Sequence, residues 1–123
     1  MVRQSALYLE VPHIDLVHVL PPLPYLSRVK TIVGKADVQR YHDYEGRTAL
    51  ADARQVLHAS NTPYVAHVLI GAAAESIVQH ARHSSCALIA IATHGMGAAA
   101  NLVLGSVATK VLHISHVPVL VVK

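Results

Sequence analysis

Short apolar runs alternate with longer amphipathic stretches along this chain. Ile14 to Leu20 reads as a strand ended by Pro21-Pro22, and Tyr64 to Ile70 as a second, set between the break at Asn61-Thr62-Pro63 and Gly71. Cys86 to Ala92 and Pro118 to Val122 are two more β-rich runs. The stretches between them have helical character. Arg3 to Glu10 is a predicted helix closed by Val11-Pro12. Lys35 to Ala59 is a long one, in which Ala49, Ala53, Val56 and Leu57 recur at three- and four-residue spacing. Gly46 sits in its middle and is a point where it can split. Ala72 to His83 and Ala98 to Ser115 complete the set, the last interrupted at Gly105. Residues 21–34, with three prolines, form a loop. Strands alternating with helices predict parallel βαβ units: an α/β fold, doubly wound, with a mainly parallel sheet and helices on both faces.

The chemistry concentrates after the run Cys86 to Ala92. That strand feeds Ala92-Thr93-His94-Gly95, and nine residues later comes Gly105-Ser106 at a helix entry. A glycine-bearing turn between a strand and a helix leaves backbone N–H groups pointing outward, a natural seat for phosphate. Gly95, Met96, Gly105, Ser106 and Val107 would present those amides, and the Ser106 hydroxyl would add a donor. His94 lies in the turn and can either meet a phosphate when protonated or cap the turn. The same glycines also suit simple turn geometry.

This stretch resembles the C-terminal half of the universal stress protein family, whose nucleotide-binding members share Gly-x2-Gly-x9-Gly-Ser/Thr. Here the pattern is Ala92-x2-Gly95-x9-Gly105-Ser106, with alanine in place of the first glycine. The resemblance is specific over residues 86–122, continues more loosely upstream through Asp15 to Leu20 and Val68 to Gly71, and covers the chain from about residue 3. It implies a stress-response regulator binding ATP or AMP, with Mg2+ accompanying ATP, and it places Val19 and Ile91 at the positions that flank adenine. The methyl of Ala92 would crowd a phosphate there. The resemblance also implies a homodimer, for which the short, apolar edge strand Pro118 to Val122 suits pairing with a second copy.

The family's strand order is 3-2-1-4-5, and its first strand ends in an Asp that contacts the nucleotide. This sequence begins inside the helix that follows, so the expectation is a single domain over residues 1–123 that is incomplete at its N-terminus. A start assigned too far downstream is the favoured explanation. Unpaired buried backbone groups cost about 1–3 kcal/mol each, against the roughly 5–15 kcal/mol that holds a domain together. Four strands are expected, with either a gap at the centre or residues 14–20 paired directly with 86–92.

Composition narrows the functional classes. The chain is 53% hydrophobic and 14% charged, as a largely buried sheet requires. No apolar run approaches the ~20 residues that span a bilayer, and Met1-Val-Arg-Gln-Ser begins no secretory signal; a cytoplasmic location and no membrane partner are expected. Cys86 is the only cysteine and reads as a reduced core thiol. Residues 1–75 balance seven basic against seven acidic side chains, whereas no Asp or Glu follows Glu75. The net charge of +3 therefore lies in the half with the glycine turn, which favours an anion there. Without Lys/Arg clusters, Trp or Phe, nucleic acid is not an expected partner.

Other motifs carry less. Gly95-Met-Gly97-Ala-Ala-Ala100 fits a dinucleotide pattern, but no downstream acid exists to hold the ribose. Gly34-Lys35 lacks the rest of a P-loop. The pairs His80/His83 and His113/His116 have no nearby carboxylate or thiol to complete a metal site and read as solvated or core histidines, as His18 reads as packed; no metal is expected. Catalysis has little support, since phosphoryl transfer wants carboxylates near the phosphates and no nucleophile elbow surrounds Ser106. The expected function is nucleotide-dependent regulation without enzymatic activity. The alternatives are a dimeric interaction module that binds no nucleotide and a very slow ATPase.

Overall fold

The computed structural model describes residues 13–22, 34–93 and 104–123. The expected helix from Arg3 to Glu10, most of the proline loop and residues 94–103 lie outside the described residues. In order, the described elements are β1 (Ile14–Leu20), α1 (Lys35–Ala59), β2 (Tyr64–Ile70), α2 (Ala73–His83), β3 (Ile89–Ala92), α3 (Ser106–Ile114) and β4 (Val119–Val122). Strands and helices alternate, as the apolar blocks predict. Among the described residues no helix is long and apolar enough to cross a membrane. The strands form two pairs, β1 with β2 and β3 with β4. Among the described residues the direct pairing of residues 14–20 with 86–92 is not formed: 14–20 pair with β2, and the strand at 89–92 pairs with β4. The described residues fall into two compact units, one of 13–18 and 34–69, the other of 19–22, 70–93 and 104–123.

In the first unit, α1 runs unbroken for 25 residues, so Gly46 does not split it. The glycine is there for space. A Cβ at Gly46 would fall 2.9 Å from Val68 Cγ1 and closer still to Cγ2, so the helix backbone sits directly on β2. The face that α1 buries is Val38, His42, Gly46 and Leu50, a strict four-residue stripe. Of the expected apolar positions, Ala53 and Leu57 are half-buried, whereas Ala49 and Val56 are exposed. The helix ends in a Schellman motif. Asn61, at φ 52°, takes the left-handed position, its N–H donates to His58 O, and Thr62 N–H donates to Leu57 O.

The second unit holds the drier core. Ala74, Val78 and Ala81 of α2, Ile89 of β3 and Val111 of α3 close on one another, with Ile77, Cys86, Ile91, Ile114, Val117 and Val119 packed around them. Val111 is completely buried. β3 and β4 are parallel, in register from Ile89↔Val119 to Ala92↔Val122. β3 is shorter than the expected strand Cys86 to Ala92. The reason is the C-terminus of α2, where Ser85 adopts φ 54° and the N–H of Cys86 bonds back to Ala81 O, another Schellman motif. Cys86 is thus the apolar clasp of a helix end, half-buried against the core. Pro118, without an N–H, stands just outside β4 but accepts from Ile89 N–H at 3.0 Å. α3 begins at Ser106 with Gly105 as its N-cap, and the part of the expected helical stretch at 98–103 lies outside the described residues.

Candidate functional site

β3 ends at Ala92 and α3 begins at Ser106, and the residues next to these two ends, Thr93 and Gly105, are joined. The N–H of Gly105 donates to the carbonyl of Thr93, whose own N–H makes the last ladder bond, 2.8 Å to Val122 O. The carboxyl end of β3 and the N-terminus of α3 are therefore held side by side. That is the geometry which presents helix amides at the rim of a parallel sheet.

The first bond inside α3 is Thr109 N–H to Gly105 O at 2.9 Å, reinforced by the Thr109 hydroxyl to the same oxygen at 2.8 Å. The amides of Ser106, Val107 and Ala108 precede it and have no acceptor within the helix. Among the described residues no side chain caps this end, and no acidic residue stands in its first turn. The positive end of the helix dipole there favours an anion. Ser106 and Val107 are exposed, whereas Ala108 is buried against the core. Gly105 has φ −70°, open to any residue, so its value is small size and not a special conformation.

Of the other predicted residues, Ala92 is exposed at the last position of β3. Ile91 is half-buried and packs against the α2–α3 core. Val19 is half-buried, one residue before the end of β1. His94, Gly95 and Met96 lie outside the described residues. The structure thus brings Ala92, Gly105, Ser106 and Val107 to one corner. Along the outer flank of α3 runs an open depression of about 640 Å³, lined by Ser106, Thr109, Lys110, Leu112 and His113, which shares only Ser106 with that set.

Glu75, the last acidic residue of the chain, opens α2 and is paired with Lys110 of α3. The hydrogen bond from Lys110 holds the Glu75 carboxyl below its usual value. The sequence reading did not single out a cluster at the start of β1, where His13 and His67 both approach Asp15. Its only linear trace is the spacing His13-x-Asp15; the third member comes from β2 and is visible only once the strands pair.

Residues 9–123 match the family model described as the universal stress protein family. The chain belongs to the universal stress protein family. It is 35% identical over 82 residues to the stress response protein NhaX of Bacillus subtilis (strain 168), a match covering 65% of this chain and 49% of that protein. The aligned region thus spans about half the length of this curated relative. Among solved structures, hypothetical protein MJ0577 superposes with a TM-score of 0.75 at 22% identity, over 99% of this chain and 84% of the other. A universal stress protein from Archaeoglobus fulgidus gives 0.64 at 21% identity, over 97% and 77%. At such identities these likenesses bear on the fold, and they bear out the doubly wound α/β class expected from the sequence.

Proposed function

We propose that this universal stress protein is a regulator that binds an adenine nucleotide, ATP or AMP, at the corner between β3 and α3. The observation that carries the reading is the bond from Gly105 to Thr93, which fixes an uncapped helix N-terminus at the carboxyl end of a parallel strand. The phosphates would take the amides of Ser106 and Val107 and the Ser106 hydroxyl, with Gly95, Met96 and His94 supplying the remainder of the turn. Val19 and Ile91 are the proposed adenine contacts, and Mg2+ would enter with ATP. The residues fit a phosphate: the donors are exposed, no carboxylate opposes them in the first turn of α3, and Ala92 adds only a methyl group.

Isothermal titration of ATP into the full chain tests this. Binding is expected to weaken about tenfold in Ser106→Ala, the loss of one charge-assisted hydrogen bond of roughly 1.5 kcal/mol. Absence of binding, or binding indifferent to that change and to Gly105→Pro, would refute it. Phosphate release at buffer background is the expected outcome of a single-turnover assay, because the second unit offers no carboxylate free of Lys110 to orient water.

A second reading rests on β4. Among the described residues it pairs only with β3, and Leu120 and Val122 are 53% and 48% exposed. We propose that Pro118 to Val122 pairs with a second copy of the chain. Light scattering should then report a dimer that Leu120→Lys dissociates; a monomer at high concentration would remove this reading and leave the interaction-module alternative without a surface.

A further inference from the structure

We propose that the outer face of α1 docks on the same face of a second copy of this chain, the two helices lying side by side and parallel. Tyr41, Tyr44, Thr48, Ala51 and Gln55 recur at alternating spacings of three and four residues, the seam positions of a heptad pattern. All five are exposed, and they lie on the side of α1 opposite the buried stripe of Val38, His42, Gly46 and Leu50. Tyrosine supplies a large, stiff contact surface, which is why interface centres are rich in it. Tyr41 and Tyr44 are 48% and 68% exposed. Thr48 and Ala51 are small and let a second backbone come close. The Thr48 hydroxyl is already bonded to the Tyr44 carbonyl at 2.9 Å, so docking strips no free hydroxyl there. None of these residues belongs to the proposed nucleotide site or to β4.

The charges beside this stripe select the occupant. Arg40 and Arg47 run along one flank, Glu45 and Asp52 along the other. In a parallel pair each flank faces the opposite flank of the other helix. Arg40 then meets Glu45 of the second copy and Arg47 meets Asp52, and the two-fold axis repeats both contacts. An antiparallel pair would set arginine against arginine and carboxylate against carboxylate, so the charges also select the orientation. A partner helix of a single charge sign would be repelled along one flank. The face is complementary to itself, as a contact between identical copies requires. Arg40 is held at 3.1 Å by Asp37, but the side chains are 77% and 48% exposed, and a pair so open to water is readily exchanged for another.

Sedimentation of the full chain carrying Leu120→Lys tests this, since that background takes the contact proposed for β4 out of the measurement. Two heptads make a small seam of the weak class. A dimer is therefore expected at about 1 mM chain and low salt. Its dissociation constant should rise at least about tenfold between roughly 50 mM and 500 mM salt. Added to that background, Arg40→Glu/Arg47→Glu leaves both flanks acidic, and Glu45→Lys/Asp52→Lys leaves both basic. Each should be monomeric alone, and an equimolar mixture should recover the dimer. If circular dichroism shows that the basic variant fails to fold, Tyr44→Lys carries the test, because that exposed side chain stands within the seam; it should be monomeric with unchanged helix content. A Leu120→Lys chain that is monomeric under these conditions, a dimer that survives Tyr44→Lys, or folded, oppositely charged variants that do not combine would each overturn the proposal.

Discussion

The two units bury their inner faces by different means. In the second, α2, α3, β3 and β4 close on aliphatic side chains, and Val111 sits at the centre with no exposure at all. In the first, the face that α1 turns inward contains a glycine and a histidine. Gly46 gives the helix its close approach to Val68, and the Nε2 of buried His42 has no hydrogen-bond partner among the described residues. One unit is held by volume filled, whereas the other requires volume withheld and carries a polar group that burial penalises. Removing volume should therefore destabilise the second unit, and adding it should destabilise the first.

The largest effect is expected at Val111. Truncation to Ala removes two methyl groups from a fully buried position and should cost about 2–3 kcal/mol, read as a lower urea midpoint at unchanged slope. A loss below about 0.5 kcal/mol, the size of an ordinary surface substitution, would mean that this core is not packed as described. Gly46→Ala comes next. On an exposed helix face the change would gain about 1 kcal/mol. Against stiff, β-branched Val68 the added Cβ should instead destabilise by about 1–2 kcal/mol, and a second change, Val68→Ala, should relieve most of that loss. His42→Leu should act the other way and stabilise by about 1 kcal/mol, since an unsatisfied buried polar atom is removed.

The smallest effect sharpens the electrostatic side. Because Lys110 lowers the folded-state value of Glu75, their pairing contributes stability above the ordinary carboxylate value of 4.5, and that contribution is lost as the pH falls through the lowered folded value. Lys110→Ala should return Glu75 towards 4.5, followed by carboxyl carbon shifts, and should flatten the acid limb of stability between those values. A Glu75 titration that does not move would show that the pair does not form in solution.

What the sequence discloses follows the same division. The second unit was legible because its core is apolar at regular spacing, and because a strand, a glycine-bearing turn and a helix are contiguous in the chain. A misreading there, the start of β3 at Cys86, arose because an apolar residue can serve a helix end as well as a strand. Ser85 in the left-handed conformation decides between them, and serine seldom announces that role. In the first unit, β1, α1 and β2 were placed at their observed bounds, yet the fully buried stripe Val38, His42, Gly46 and Leu50 of α1 was not read, and of the four positions read only Ala53 and Leu57 are half-buried. Apolar periodicity cannot see a glycine chosen for a neighbour's bulk or a histidine carried inward by its register. The Asp15 cluster escaped for a related reason, since strand pairing and not chain spacing assembles it. The candidate nucleotide corner was visible only as a pattern of residue types; the bond from Gly105 to Thr93 that gives it a geometry is a tertiary fact.

The central claim is that the amides opening α3 receive the phosphates of a nucleotide. Backbone amide shifts of the isotopically labelled full chain, followed during addition of ATP, test it most directly. The account predicts saturable shifts largest at Ser106 and Val107, with Val78 and Ala81 in the core of the same unit unmoved. Saturating ATP that leaves Ser106 and Val107 unshifted would contradict it.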